Sequence, residues 1–314
     1  MTDTSDKLPL EMLYHRAEHQ PEDVYLCQPQ DGHWYHYSWS QVLDQAARLV
    51  TGLNDLGLAP GDRVALLSKN CAEWFICDFA LQMGGFVSVP IYPTAGADTV
   101  RYVLEHSESR AIITGKLDEP SVQEPGIPDG ILRIAMPYPS TLHTQHRWDS
   151  LQAFEPVARP PAPEPDRLMS LVYTSGSTGD PKGVMIDFGA YAAACRGIVE
   201  TVGLNSEDRA FSYLPLSHIT ERVYVLGASL YGGVQVGFAQ SLDTFIDDVK
   251  TISPTVFISV PRLWTNFRSR ILEKLPQKKL DLLLKIPFIS NLVKKKIRAG
   301  LGLSDARILG CGSA

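Results

Sequence analysis

The run Tyr173-Thr174-Ser175-Gly176-Ser177-Thr178-Gly179-Asp180-Pro181-Lys182-Gly183 places three glycines, four aliphatic hydroxyls and one lysine between two apolar stretches. Glycines permit tight backbone paths that turn several amides inward, and hydroxyls can donate to phosphate oxygens. Lys182 adds a mobile positive charge. Asp180 has the wrong sign to face phosphate and is expected to point outward. A Walker A loop is excluded, because Lys182 follows Pro181 and precedes Gly183. A dinucleotide fingerprint is excluded as well, since Gly176 and Gly179 lack the preceding Gly-x-Gly. On composition alone, a phosphate cradle and an ordinary polar loop both account for the run. The second concentration of chemistry is Leu214-Pro215-Leu216-Ser217-His218-Ile219-Thr220-Glu221-Arg222. His218 is its most distinctive side chain, and a histidine beside an apolar strand fits a structural polar group as well as a pocket wall. Glu221 and Arg222 are expected to pair with each other.

The elements around these runs alternate. Ser38 and Gln41 have capping-box spacing before a helix from Trp39 to Leu56, whose stripe is Val42, Leu43, Ala46, Ala47, Val50 and Leu53. Gly57 stops it, and Pro60-Gly61-Asp62 turns into a strand at Arg63–Leu67. Asn70, with Glu73 three residues on, predicts the cap of a second helix ending at Met83. Strands follow at Phe86–Pro90 and Ala111–Thr114, with a helix at Asp98–Glu108 between them, and a further strand at Ile131–Met136. Strand Met169–Tyr173 enters the glycine-rich run. Beyond it, strands are expected at Val184–Ile186, Phe211–Leu214, Val234–Phe238, Thr255–Val260 and Arg307–Gly310. Helices are expected at Ala190–Val202, Val223–Ser229 and Leu242–Ile252, and a helical region at Leu263–Arg298 is broken by Pro276 and Pro287. Apolar strands separated by amphipathic helices predict an α/β fold with mostly parallel sheets covered on both faces. Five prolines within residues 155–165 disfavour helix and central strand, and fit a crossover between two halves of one domain.

A net charge of −6 excludes a protein-wide cationic surface for nucleic acid, and no nucleic-acid recognition module is present. Cys27, Cys71, Cys77, Cys195 and Cys311 are scattered without CxxC spacing, which predicts reduced thiols rather than a disulfide scaffold or zinc site. The first residues carry early acids and no apolar run, and no stretch is long enough to span a bilayer, so the expected compartment is the cytoplasm. Residues 270–298 hold nine Lys or Arg against Glu273 and Asp281, interleaved with leucines, isoleucines and a phenylalanine. Two readings fit: a solvated helical surface with an apolar core face, or peripheral contact with the inner face of a membrane.

Taken whole, Tyr173–Gly183 resembles the phosphate-binding signature of the adenylate-forming (AMP-binding) enzymes, and its neighbours look most like the medium- and long-chain fatty acyl-CoA synthetases. Other segments resemble the family in the same order: Ser38–Gln41, Gly61–Val64, Asn70–Pro93, Leu214–Arg222, Pro254–Phe257 and Val260–Arg262. The resemblance implies a layered α/β/α N-terminal region with two related subdomains. It implies that Thr174, Ser175, Gly176, Ser177, Thr178, Gly179 and Lys182 hold the β- and γ-phosphates of ATP. His218, Gly312, Ser313 and Ala314 are implied as walls of the substrate pocket, and no catalytic residue is assigned. ATP and coenzyme A are implied as cosubstrates, with Mg2+, and a fatty acid as the carboxylate activated. An aryl, amino or short-chain acid, or a non-catalytic nucleotide- or acyl-binding module, remain the alternatives. Asp187-Phe188 departs from the family, where a Thr-His or Ser-His pair is common. The last strand runs into Cys311-Gly312-Ser313-Ala314 and the chain stops. The expectation is therefore a partial N-terminal domain, residues 1–314, without the family's small C-terminal domain and inactive by itself.

Overall fold

The computed structural model describes residues 6–174 and 180–312. Helix α1 (Pro9–His19) leads into a hairpin of β1 (Val24–Gln30) and β2 (His33–Ser38). Asp31 and Gly32 at its tip both have positive φ, 51° and 78°, as a two-residue turn of this kind requires. Helix α2 (Trp39–Asp55) starts on the expected capping box: Ser38 donates its backbone N–H to Gln41 Oε1 at 2.9 Å, and Gln41 N–H returns to Ser38 Oγ at 3.4 Å. All six residues of the expected stripe are buried, each large apolar one stabilising by about 1.5–3 kcal/mol. Gly57, at φ 83°, turns the chain away.

Strand β3 (Arg63–Leu67) is followed by α3 (Ala72–Met83), in which every residue is buried. A helix buried on all sides must lie between layers, and α3 packs on both β1 and the strand that follows it, β4 (Val87–Ile91). Then come α4 (Ala97–His106), β5 (Ser109–Thr114), α5 (Pro120–Gln123), β6 (Leu132–Ala135), β7 (His146–Arg147) and α6 (Trp148–Gln152). Strands β8 (Leu168–Thr174) and β9 (Lys182–Asp187) complete this half. The second half holds α7 (Phe188–Val202), β10 (Arg209–Ser212), α8 (Ile219–Glu221), a π-helical turn at Arg222–Gly227, α9 (Ala228–Gly232) and β11 (Gln235–Phe238). It ends with α10 (Phe245–Ile252), β12 (Val256–Ser259), α11 (Pro261–Lys274), α12 (Gln277–Leu284), α13 (Pro287–Gly300) and β13 (Ile308–Cys311).

The described strands form two sheets, with orders β13-β12-β10-β11-β1-β2 and β7-β6-β5-β3-β4-β8-β9. All pairings are parallel except β1–β2 and β8–β9. The α/β class with mostly parallel sheets is therefore as expected.

The place where the chain changes sheets is not. Residues 155–165 connect α6 to β8, and β8 pairs with β4 in the same sheet, Ser88 opposite Ser170. This proline-rich segment runs along α1 and α2: Val157 N–H donates to Ala47 O, and Tyr14 Oη donates to Pro160 O at 3.0 Å. Passage to the second sheet comes later, through α7. The N-terminal hairpin, meanwhile, is built into the far sheet through the parallel pairing of β1 with β11. The two sheets are thus interleaved in sequence.

Candidate active site

Two side chains show that the carboxyl ends of the parallel strands in both sheets meet. Asn70, three residues beyond β3, donates to Ser212 Oγ at the end of β10 (2.8 Å) and to Leu214 O (2.7 Å). Lys116, two residues beyond β5, donates to Ala239 O just beyond β11 at 2.8 Å, and its ammonium lies 5.8 Å from the centre of the Tyr138 ring. Burial pulls the Lys116 pKa below its ordinary value. In open α/β sheets, ligands settle outside these carboxyl ends. Asn70 was expected to cap α3 and does not. Cys71 is the residue at that cap, and the first helical N–H, of Ala72, is taken instead by Gln28 Oε1 from β1 at 3.0 Å. Glu73 makes no capping bond to Asn70 either; its carboxylate accepts from the phenols of Tyr37 (3.1 Å) and Tyr138 (2.5 Å).

The Leu214–Arg222 run lies at this junction. Glu221 is buried, and its Oε1 accepts from Ser212 Oγ (2.8 Å), Tyr213 N–H (3.1 Å) and Asn70 Nδ2 (3.3 Å). Burial pushes its carboxyl up to about 8, against the opposing pull of the Ser212 hydroxyl and two backbone amides. Arg222 is fully buried and does not pair with Glu221. Its Nη2 lies 2.6 Å from Asp78 Oδ1 on α3, its Nη1 donates to Ser170 Oγ on β8 at 2.7 Å, and Nη2 also reaches Ser88 Oγ on β4. The reason is electrostatic. Asp78 sits in a fully buried helix and needs a cation, whereas Glu221 Oε1 already accepts from three neutral donors. The pair expected between sequence neighbours is therefore two separate locks, one on each sheet.

His218 is the residue N-terminal to α8. Its Nδ1 accepts from Thr220 N–H at 3.2 Å, which leaves the proton of the neutral ring on Nε2, and the side chain is exposed. Ser217 beside it is buried, and its Oγ has no hydrogen-bond partner among the described residues. Gly312 is brought to the same end. It follows β13, its N–H donates to Ser259 O at 3.1 Å, and a Cβ built there meets nothing within 4 Å.

The expected phosphate run opens and closes on neighbouring strands. Thr174 ends β8 and Lys182 begins β9, paired across the antiparallel ladder, and both are exposed, as is Asp180. At Gly183 a Cβ would stand 3.2 Å from the Tyr173 ring, so this position favours glycine for close packing. Ser175, Gly176, Ser177, Thr178 and Gly179 lie outside the described residues, as do Ser313 and Ala314. Strand β8 is two places from β3 in its sheet, so Thr174 and Lys182 share the sheet's carboxyl end with Asn70. No hydrogen bond or ion pair among the described residues joins Lys182 to His218.

Asp187 has a structural role: its carboxylate accepts from Ala190 N–H at 2.6 Å and caps α7. Among the described residues no group of three or more His, Cys, Asp or Glu is placed to hold a metal, and no helix is long and apolar enough to cross a membrane. All five cysteines are free. Burial holds the thiols of Cys27 at about 11 and of Cys71 and Cys195 at about 12. Asn70 as a bridge, Lys116 and Asp78 escaped the sequence reading. The first two carried one signal, a polar residue within three positions of a strand's carboxyl end.

With this geometry in place, the chain matches the AMP-binding enzyme model over residues 13–314. It is 34% identical over 282 residues to the peroxisomal long chain acyl-CoA synthetase 7 of Arabidopsis thaliana, covering 80% of this chain and 38% of that protein. It is 30% identical to a long-chain-fatty-acid–CoA ligase of Mycobacterium bovis, covering 81% of this chain and 43% of that one. The chain thus spans about two fifths of the length of these curated relatives. Among solved structures, the A domain of a carboxylic acid reductase from Segniliparus rugosus, in complex with AMP and a co-purified carboxylic acid, superposes with a TM-score of 0.78 at 18% identity. That likeness, of fold alone, covers all of this chain and 57% of that one. By the family match over residues 13–314 and the interleaved two-sheet fold that accompanies it, the chain belongs to the AMP-binding enzymes.

Proposed function

We propose that the full-length protein joins a medium- or long-chain fatty acid to ATP, giving acyl-AMP and pyrophosphate, and then transfers the acyl group to the thiol of coenzyme A with release of AMP. The chemistry requires both halves. A carboxylate oxygen is a poor leaving group, whereas AMP is a good one. The observation that carries this reading is sequence identity of 30% or more, over four fifths of this chain, to relatives named as long-chain acyl-CoA synthetases and ligases.

In this reading Thr174, Ser175, Gly176, Ser177, Thr178, Gly179 and Lys182 hold the phosphates, stabilising charge by preoriented donors. His218, Gly312, Ser313 and Ala314 line the adenylate and acyl pocket, where a residue as small as Gly312 would admit a planar ligand at close range. Residues 1–314 form part of one large N-terminal region rather than two independent domains. ATP and coenzyme A are cosubstrates. Magnesium would accompany ATP, and the described residues supply no cluster of their own to hold it. The working site is the cytoplasm or the inner face of a membrane.

The test supplies the full-length protein with ATP, magnesium, coenzyme A and a panel of fatty, aryl, amino and short-chain acids, and measures acyl-CoA. Turnover is expected with medium- and long-chain fatty acids. Turnover confined to aryl, amino or short-chain acids would overturn the substrate assignment.

A further inference from the structure

Helices α12 and α13 meet at a corner that the described residues leave uncovered. Helix α12 has no buried residue and α13 has one, Ser290. On the inner side, Val293 and Ile297 are half-buried, one and two turns beyond Ser290. On the outer side, Phe288 is 92% exposed, Leu292 70% and Leu282 63%, with Ile286 and Ile289 also exposed between them. Single exposed apolar residues are ordinary; five within eleven positions at one helix corner are a patch.

The charge around the patch is one-sided. Residues 277–298 carry Lys278, Lys279, Lys285, Lys294, Lys295, Lys296 and Arg298 against the single acid Asp281, in a chain whose net charge is −6. Asp281 accepts from Gln277 at 2.6 Å, and Arg298 donates to Leu303 O and Ala306 O. None of the six lysines makes an ion pair among the described residues, where the lysine pairs are those of Lys69 and Lys250.

We infer that this corner docks on an anionic lipid surface, with Leu282, Ile286, Phe288, Ile289 and Leu292 entering the headgroup region and the six lysines lying against lipid phosphates. Lysine is the decisive residue type. Its aliphatic stem runs along apolar surface while the ammonium reaches the polar boundary, which suits a lipid interface. Protein interfaces, by contrast, are depleted in lysine and enriched in arginine, tyrosine and tryptophan. Helix α11 begins two residues beyond Ser259, so one helix joins the docking corner to the sheet end that carries His218 and Gly312. The inference stands apart from the proposed ligase activity, and its test does not use turnover.

The test is co-sedimentation of the purified protein with vesicles of phosphatidylcholine alone, and of three parts phosphatidylcholine to one part phosphatidylglycerol, at low and high salt. Binding is expected to the mixed vesicles and to weaken by about tenfold or more without the anionic lipid or at high salt. A Phe288→Glu, Leu292→Glu double variant should lose about tenfold in affinity with an unchanged circular dichroism spectrum. A Lys294→Glu, Lys295→Glu, Lys296→Glu variant should lose the salt-dependent part, and it stands as the second test if the first variant fails to fold. No sedimentation of the native protein with mixed vesicles would overturn the inference, as would equal binding by a folded variant of either kind. Self-association that the double variant abolishes, without vesicle binding, would assign the corner to a protein interface instead.

Discussion

Glu221 and Arg222 are adjacent in sequence and are held by opposite means. Arg222 balances Asp78 in a fully buried ion pair, so removing either partner strands a charge at a cost of about 3–5 kcal/mol. Glu221 accepts from three neutral donors, and burial raises its carboxyl to about 8 from an ordinary 4.5. Between those values the folded protein keeps a proton that the unfolded chain releases. Its contribution to stability is therefore fully present below about pH 4.5 and is lost as pH rises through about 8. The native protein should show a urea midpoint that falls over this range, and Glu221→Gln, which keeps the shape without the charge, should fall less. An identical slope in both proteins would contradict the assignment.

Helix α7 shows how a departure from the family pattern can carry structure. Asp187 caps it through Ala190 N–H, and Asp187→Ala should cost about 1 kcal/mol by denaturant titration while leaving nucleotide affinity unchanged. A loss of affinity without a loss of stability would move Asp187 into the site. At this scale the sequence was legible wherever local rules decide the outcome. The Ser38–Gln41 box, the α2 stripe and the breaks at Pro276 and Pro287 all correspond to observed features: Pro276 lies immediately before α12, and Pro287 is the first residue of α13. Helix α1 and the β1–β2 hairpin were missed, although Asp31-Gly32 is a two-residue turn signal; the apolar periodicity of these short elements is weaker than that of α2. Asn70 looked like a helix cap because Glu73 stands three residues later. Both side chains are instead claimed by partners far away in sequence, Ser212 and Leu214 for one, Tyr37 and Tyr138 for the other. Local spacing cannot reveal such partners.

Across the whole molecule, the decisive feature is the interleaving of the two sheets. The N-terminal hairpin completes the sheet of the second half, while β8 and β9, which flank the glycine-rich run, complete that of the first. The first half therefore holds a hairpin that the second half's sheet needs, and the carboxyl ends of both sheets are pinned together by Asn70 and Lys116. The chemical motifs were readable from residue types, but their shared end of the fold follows from topology. The most direct measurement of the account is incorporation of labelled pyrophosphate into ATP by the full-length protein, with magnesium and a long-chain fatty acid and without coenzyme A. Fatty-acid-dependent exchange is predicted, because acyl-AMP formation is reversible only through pyrophosphate. Lys182→Ala should slow it by about tenfold or more, equal to about 1.4 kcal/mol of lost transition-state stabilisation. Cleavage of ATP to ADP and orthophosphate without exchange, or full exchange by the Lys182→Ala protein, would contradict it.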